Sequence, residues 1–460
     1  MVFLGLYAQK KTKTLEDYYI AGRRLGGLIM GFAYVTSSMS ASAFIGVAGM
    51  SYKTGGTAIW INVVIGFLLS YPIAFLIVGP KFRRVCERIG ALTIPDFFEA
   101  RFYSKLARLI PAAIIITFMI PMMVVQYKGA GLVLSQLLGI SYGWAILVFA
   151  GVVAFYVSIG GILGVAYTDV LQGALMLIGA LSVIPIVLKA AGGWTNIAAT
   201  YSQANPQLFS WSGTSGAALA ISLSLSYFVG VFGTPHTVSK FLTVRKGEIG
   251  KACAIGLIMQ YLCIAPVVAG MAAHVLYPGL KDADMVMPLI LTNLFPPVLG
   301  GLLLSGILAA MMSTADSVVL VSSSAFVKDI YQGFINPNIS EKAVINAARV
   351  VALAVGIAGL VLALNPPALL TMVMIWAFGA FGLLFALPLI GGLFWKRMTK
   401  EAAIVGWVVG LTSYLGWQAI GQPLVPTFVA SLVLTTISIV VTSYLTPAPP
   451  KVVMDTFFEE

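Results

Sequence analysis

The sequence predicts an all-α protein that crosses a membrane many times. Of its 460 residues, 59% are hydrophobic and only 9% are charged, whereas about 25% of the residues in a soluble domain are charged. Apolar stretches of roughly 20 residues, the length needed to cross a hydrocarbon core, follow one another along the chain with short polar connections. We therefore expect a single transmembrane domain over residues 1–460 that has the lipid bilayer as its surroundings.

Twelve apolar segments are each long enough for a transmembrane helix. We number them α1 to α12 in chain order: 26–52, 57–79, 106–135, 142–160, 166–190, 216–236, 250–277, 296–326, 344–363, 367–395, 401–420 and 426–447. Residues 1–9 are apolar but too short to cross a bilayer, so they resemble the end of a truncated N-terminal helix. The last two segments, within residues 401–447, would be two additional C-terminal helices.

The positions of the basic residues predict how these helices are oriented. Of the 27 lysine and arginine residues, 23 fall in alternate connections or the C-terminal tail, 3 fall in the other connections, and Lys128 lies inside α3. Basic residues in short loops favour the cytoplasmic side. We therefore expect a multi-pass protein of the cell membrane with a cytoplasmic C-terminus. The net charge of +11 then reflects topology, and no nucleic-acid partner is expected.

The same alternation predicts an internal symmetry. Helix α1 would start on the inside and α6 on the outside, so α1–α5 (residues 26–190) and α6–α10 (residues 216–395) would have opposite topology. Inverted repeats of this kind are a common plan among transporters. No pattern in the sequence indicates an oligomeric state.

The hydroxyl-rich run Thr36–Ser42 lies near the middle of α1. Polar residues at this depth are costly and commonly line a cavity or pathway. Small hydroxyl side chains also compete for backbone hydrogen bonds, so we expect a break in α1 whose carbonyls bind a cation, with Ser38 and Ser42 near a solute. Close helix packing through small residues is the alternative.

A second polar group lies on α8. Ser313 and Thr314 follow Ala310 by about one turn, which would let one carbonyl and two hydroxyls converge on a sodium ion, because hard cations prefer oxygen ligands. Asp316 adds a carboxylate well inside the same segment. Small-residue packing, with Asp316 neutral or paired, is the alternative.

Two charged residues in other segments are further candidates. Asp169 is predicted at the cytoplasmic start of α5, where it could cap the helix or act as a second cation site or a station for cation passage. Lys128 follows Gln126 in α3. It could pair with Asp316, bind an anionic solute or extend to the outer interface.

Helix α6 is expected to be discontinuous. Glycines and Pro235 interrupt its second half, which is typical of a broken helix beside a binding site, and Tyr227 precedes the interruption. His236 is expected to pack or cap rather than to relay protons. The sequence contains no catalytic arrangement and no GxxxxGK[ST] phosphate loop, so we expect neither an enzyme nor direct coupling to ATP.

Five motifs, in order along the chain, resemble those of the sodium/solute symporter family. They are 16–24 before α1, Ala43–Gly46, Gly160–Asp169, Phe232–His236, and Ala309–Thr314 followed by Lys328–Tyr331. Each motif is weak alone, but the ordered set is specific and extends over nearly the whole chain.

The resemblance implies a LeuT-type fold, with two inverted five-helix repeats followed by two C-terminal helices. It also implies a sodium site formed by the carbonyls of Thr36, Met39 and Ala310 with the hydroxyls of Ser313 and Thr314. Asp169 matches an acid that the family links to cation passage or a second sodium ion. Three segments look most like the sodium/pantothenate branch: Pro235–Thr237, Asn365–Pro367 and Gly391–Arg397.

The predicted function is therefore sodium-coupled import of a small organic solute, a carboxylate such as pantothenate, by alternating access. The residues predicted to contact the solute are Ser38, Ser42, Gln126, Lys128, Tyr227 and Asp316. Two alternatives remain open. One is a proton-coupled symporter of a monocarboxylate or an amino acid such as proline, and the other is a solute-binding membrane sensor or channel.

Overall fold

The computed structural model describes residues 7–8, 12, 14–260, 264–365, 370–421 and 426–458. Within these ranges helices occur at all twelve predicted segments, and nine are long and apolar enough to cross a membrane, or ten with the bent pair of α1. The predictions on residues 1–6, Gln9 and Pro366–Pro367 lie outside the described residues.

The twelve helices follow one another along the chain, and some of the connections between them contain short helices. Their bounds are α1 Gly27–Ser38 with Ser42–Thr54, α2 Gly56–Arg88, α3 Leu106–Leu138, α4 Tyr142–Phe155, α5 Gly161–Ala190, α6 Ala217–Leu242, α7 Ile249–Met259 with Ile264–Leu276, α8 Pro297–Ile335, α9 Glu341–Ala363, α10 Leu370–Phe381 continued to Phe394, α11 Lys400–Ala419 and α12 Thr427–Leu445.

Helix α1 is broken where its hydroxyl-rich run predicts a break. Its two halves meet at an angle of 60°, and Met39 between them has φ −90° and ψ 84°, outside the helical region. The new helix start leaves backbone N–H groups without helical partners. The hydroxyl of Ser40 accepts from the Ser42 N–H at 3.2 Å, and Oε1 of Gln126 accepts from the Ala41 N–H at 3.0 Å. Both of these N–H groups at the break therefore have hydrogen-bond acceptors.

Helices α4 and α5 are joined by a kink at Gly161. This residue has φ 56° and ψ −163°, a conformation that residues with a Cβ rarely adopt, and a Cβ there would lie 2.8 Å from Cδ2 of Tyr18. Helix α5 therefore begins at Gly161, and Asp169 lies about two turns inside it. The interpretation of Asp169 as a cap in the first turn is wrong, because the helix dipole acts only over that turn.

Helix α6 is interrupted before Pro235, as predicted. Thr234 is extended, with φ −68° and ψ 110°, because a following proline disfavours the helical conformation. Just before this point α6 contacts α10 backbone to backbone. A Cβ at Gly230 would lie 2.7 Å from the carbonyl oxygen of Phe378, and a Cβ at Gly233 would collide with that of Phe381.

Short helices cover the side predicted to be cytoplasmic. Between α2 and α3, helix Ile94–Phe102 starts with a capping box in which Thr93 and Asp96 exchange backbone hydrogen bonds. The C-terminal helix Lys451–Phe458 packs beside it, where the Phe457 and Phe97 rings are 5.7 Å apart. The C-terminus thus lies on the same side as the basic connection between α2 and α3.

Large apolar side chains are exposed on the outer faces of several helices. They include Trp144 and Leu147 of α4, Val350, Ile357 and Val361 of α9, and Val433, Ile437 and Leu445 of α12. Exposed apolar surface of this extent is unfavourable in water. It is the surface that a multi-pass membrane protein presents to lipid tails.

Candidate functional site

Helix α8 meets the end of the first half of α1 through two hydroxyl groups. Oγ of Ser313 donates to the carbonyl of Thr36 at 2.7 Å, and Oγ1 of Thr314 donates to the carbonyl of Ser37 at 3.0 Å. The same hydroxyls lie 3.0 and 3.3 Å from the carbonyl of Ala310. Four of the five groups predicted to bind sodium are therefore brought together, those of Thr36, Ala310, Ser313 and Thr314.

The fifth predicted group belongs to Met39, which lies at the break itself and is 1% exposed. The other four residues of the predicted site are fully buried. Their oxygen atoms come from backbone carbonyls and neutral hydroxyls, which suit a hard monovalent cation because they bind it without burying a negative charge. Sodium stays the predicted ion for this site.

A narrow cavity of about 30 Å³ adjoins the break in α1. It has room for only about two water molecules, so a solute would enter only if lining side chains move. Three predicted solute contacts line it together, Ser38, Ser42 and Tyr227. No charged side chain of the described residues lines it. The remaining lining residues are Met39, Ala43, Val47, Ile61, Asn62, Tyr71, Met374, Ile375 and Phe378.

Gln126 supports the site without lining the cavity. Its Oε1 accepts from the Ala41 N–H, and its Nε2 donates to the Met122 carbonyl of its own helix at 3.2 Å. The side chain is fully buried. Gln126 therefore holds the second half of α1 against α3, which is a different role from the predicted contact with solute.

Lys128 is held by a carboxylate that the sequence analysis did not single out. Its Nζ lies 3.3 Å from Oδ2 of Asp284, and the two side chains are 15% and 1% exposed. Asp284 belongs to the connection between α7 and α8. Of the three alternatives for Lys128, the structure shows pairing with a carboxylate, but that carboxylate is Asp284. On α8, Oδ1 of Asp316 accepts from Ser317 at 3.2 Å.

Asp316 is linked to the α1–α8 contact through hydroxyl groups. Ser317 shares a hydrogen bond of 3.1 Å with the hydroxyl of Ser37, whose carbonyl accepts from Thr314. Asp316 itself is fully buried and does not line the cavity. Its carboxylate thus belongs to the polar surroundings of the predicted sodium site rather than to the cavity wall.

Asp169 is paired with Lys240, which the sequence analysis counted only as a marker of topology. Nζ of Lys240 and Oδ2 of Asp169 are 3.2 Å apart, and both side chains are buried. His236, about one turn before Lys240, lies 3.2 Å through Nε2 from the Ser37 carbonyl. The second half of α6 therefore contacts both α5 and the broken α1.

The residues that the sequence analysis missed are Asp284, Lys240 and Asn62. Asp284 and Lys240 are charged residues next to apolar segments. Their charge was evident from the sequence, but the residues with which they pair were not. Asn62 lies inside α2, and a polar amide at membrane depth is the kind of residue that commonly lines a cavity. That signal could have found it.

Comparison with known proteins agrees with the geometry. The model of the sodium:solute symporter family matches residues 18–410. The high-affinity proline transporter PutP of Bacillus subtilis is 33% identical over 99% of this chain and 98% of its own length. The sodium/proline symporter of Escherichia coli is 30% identical over 100% of this chain and 93% of its own length. These relatives do not support the predicted sodium/pantothenate branch.

Solved structures show the same fold. A sodium-coupled sialic acid symporter, in a substrate-bound outward-open state, superposes with a TM-score of 0.81 at 22% identity and covers 97% of this chain and 96% of its own. Mhp1, a nucleobase-cation-symport-1 family transporter in a closed conformation, has a TM-score of 0.62 at 15% identity over 95% and 97% of the two chains. The predicted LeuT-type fold is confirmed.

Proteins of this family couple the movement of a solute to the movement of an ion. The site described above agrees with such coupling, because the broken α1 brings backbone carbonyls to two hydroxyls of α8 beside a cavity. Sodium is the coupling ion that the family implies. With the match over residues 18–410 and the 33% identity over nearly the full length, the chain belongs to the sodium:solute symporter family and is a secondary transporter rather than an enzyme.

Proposed function

We propose that this protein is a sodium-coupled symporter of a small zwitterionic amino acid of the proline class. The observation that carries the proposal is the break in α1, which supplies carbonyls to the predicted sodium site and lines the cavity with Ser38 and Ser42. The same segment of α1 therefore contributes to the sodium site and to the solute cavity, so that a bound ion would order the cavity.

The chemistry of the cavity supports a zwitterion. The first half of α1 ends at Ser38, and the second half starts at Ser42. The carboxyl end of a helix favours a positive group, and the amino end favours a negative one. An amino acid carries both groups, while Met39, Ile61 and Phe378 supply apolar surface for its side chain.

An organic anion fits this cavity less well. Lys128 was a candidate for binding an anionic solute, but it pairs with Asp284 and does not line the cavity. The relatives named above are proline transporters. Both observations favour an amino acid over pantothenate.

The test is uptake by the purified protein in proteoliposomes. Radiolabelled proline should accumulate above its external concentration when sodium is imposed inwards, and uptake should persist with a protonophore. Uptake that continues without sodium and collapses with the protonophore would instead show proton coupling, and equilibration without accumulation would show a channel. Pantothenate and short carboxylates serve as competitors, and we expect them to inhibit proline uptake weakly.

A further inference from the structure

A second cavity, of about 350 Å³, opens on the side predicted to be cytoplasmic, where the end of α2 meets the end of α10 and the C-terminal helix Lys451–Phe458. The cavity beside the break in α1 has only about 30 Å³. Three basic side chains line the larger cavity, those of Lys81, Arg84 and Arg88, and no acidic side chain of the described residues does. This basic cavity therefore favours an anion and is separate from the solute cavity.

The basic residues continue a lipid-facing side of α2. Leu76 and Ile77 are 61% and 53% exposed, and both also line the basic cavity. The three basic residues follow Ile77 at intervals of four, three and four positions, which places all of them on the same helix face. Lys81 comes about one turn after Ile77, and Arg84 comes about two turns after it. Along this face, apolar side chains suited to lipid tails are therefore followed directly by positive charge.

Contacts between side chains hold the basic cavity in shape. Nζ of Lys81 lies 4.5 Å from the centre of the Phe394 ring at the end of α10 and 5.3 Å from the centre of the Phe458 ring. Cation–π attraction stabilises both contacts. Arg88 donates to the Thr456 carbonyl of the C-terminal helix at 2.9 Å. The basic residues of α2 are thus positioned against the two other elements that line the cavity.

A phospholipid headgroup has the chemistry that this arrangement requires. Arginine and lysine both bind phosphate oxygens through charge-assisted hydrogen bonds. A phospholipid carries its phosphate next to its tails, so tails along Leu76 and Ile77 would bring the phosphate to Lys81 and Arg84. Basic pockets beside transmembrane helices on the cytoplasmic side are places where anionic headgroups bind. A soluble phosphate compound would gain nothing from the exposed apolar side chains.

We infer that the basic cavity is a binding site for the headgroup of an anionic phospholipid, with Lys81 and Arg84 as the residues that bind its phosphate. The bound phosphate bridges α2 to the end of α10 and to the C-terminal helix, and the tails cover Leu76 and Ile77. The site does not involve the transported solute or the coupling ion. The inference therefore goes beyond the proposed function and is tested without measuring transport.

The test measures the binding of single lipids to the purified protein in detergent by native mass spectrometry. Phosphatidylglycerol should bind about tenfold more tightly than phosphatidylcholine with the same tails, because the phosphatidylcholine headgroup has no net charge. Lys81→Gln combined with Arg84→Gln should weaken the binding of the first phosphatidylglycerol by about tenfold, since it removes two positive charges from the cavity. The binding of phosphatidylcholine should change by less than about twofold, since its headgroup gains little from those charges.

Lys246→Gln combined with Lys342→Gln is the charge-matched control. Both lysines are exposed, and neither lines the basic cavity. The control removes the same net charge, so it should change phosphatidylglycerol binding by less than about twofold if the headgroup occupies the cavity, because distant surface charges are screened. Arg84→Gln alone replaces an exposed side chain and should weaken binding by about threefold, which keeps the test valid if the double variant does not fold.

Glycerol 3-phosphate distinguishes a lipid from a soluble phosphate compound. In about a hundredfold excess it should leave phosphatidylglycerol bound, because it lacks the tails that bury apolar surface on α2. Displacement by glycerol 3-phosphate would instead identify a site for soluble phosphates and overturn the inference. Equal affinity for the two lipids, unchanged phosphatidylglycerol binding in Arg84→Gln and in the double variant, or an equal loss in the charge-matched control would also overturn it.

Discussion

The hydroxyl of Ser313 on α8 donates to the backbone carbonyl of Thr36 on α1 at 2.7 Å, across 277 residues of sequence. We expect Ser313→Ala to raise the sodium concentration needed for half-maximal uptake by about tenfold, since a lost hydrogen-bonding group at a charged ligand is worth about 1.5–3 kcal/mol. Uptake measured against sodium concentration at fixed solute checks this.

Ser305→Ala is the matched control for that experiment, because Ser305 is an exposed serine of the same helix whose hydroxyl donates to the Gly301 carbonyl. It should leave the sodium dependence unchanged. An unaltered sodium dependence in Ser313→Ala would remove Ser313 from the predicted site.

Gln126→Leu should destabilise the protein and weaken transport together. The substitution leaves the Ala41 N–H without its acceptor, and a buried unsatisfied group costs about 1–3 kcal/mol. We expect a lower unfolding temperature together with a higher half-saturating sodium concentration. Thr117→Ala, at an exposed position of the same helix, should change neither quantity, and a stable, fully active Gln126→Leu would contradict the role assigned to this amide.

Tyr227→Ala should weaken solute binding more than sodium binding. Its side chain lines the cavity together with that of Ser38, and loss of an aromatic contact costs about 1.5–3 kcal/mol. We therefore expect the half-saturating proline concentration to rise by about tenfold or more. Tyr444→Ala, at an exposed ring of α12, should behave like the unaltered protein. Equal saturation curves for all three proteins would show that Tyr227 does not contact the solute.

The Lys128–Asp284 pair should show strong coupling in a double-mutant cycle. Lys128→Met leaves the nearly buried Asp284 carboxylate without this partner, and breaking a buried pair costs about 3–5 kcal/mol. The double variant with Asp284→Asn should recover much of the loss in unfolding temperature, because it buries no lone charge. If the loss in the double variant equals the sum of the losses in the two single variants, the two residues are not coupled.

Asp96 should make stability depend on pH. Its carboxyl group lies 2.9 Å from Arg108 and 3.0 Å from Lys328. Burial alone would raise its pKa, but Lys328 and Arg108 outweigh burial and hold the pKa below the ordinary 3.8. Such a group stabilises the folded state above its unfolded pKa, and this contribution is lost as the pH falls through the folded pKa.

Asp96→Asn should therefore lower the unfolding temperature at neutral pH, and the difference from the unaltered protein should shrink only in acid below the ordinary pKa. Thermal unfolding in detergent over a range of pH measures this. Glu341→Gln, at an exposed carboxylate, should show little difference at any pH. A difference between Asp96→Asn and the unaltered protein that persists in strong acid would contradict the assignment.

The sequence predicted the features that depend on local chemistry. The break in α1 follows from the hydroxyl run Thr36–Ser42, and the break in α6 follows from Pro235. Ser313 and Thr314 were placed on one face of α8 by helical spacing, and the structure brings that face to Thr36. These predictions held because each depends on residues within a few positions of one another.

The charge pairs could not be predicted in this way. Lys128 and Asp284 are 156 positions apart, and Lys240 and Asp169 are 71 apart, so only the packing of distant helices decides which cation meets which carboxylate. Asp169 was misplaced in α5 because the kink at Gly161 shifts the start of that helix. The predicted assignment to the pantothenate branch was based partly on Pro366–Pro367, which lie outside the described residues.

The backbones of α6 and α10 touch at Gly230 and Gly233, with no layer of side chains between them. Side chains between two helices can normally change rotamer and so allow the helices to slide past each other. At these two glycines no rotamer change can absorb a sliding motion, so we expect α6 and α10 to move together there. When the transporter changes access, Tyr227 and Phe378 should then travel together, so that one wall of the cavity keeps its shape while the opposite wall moves away.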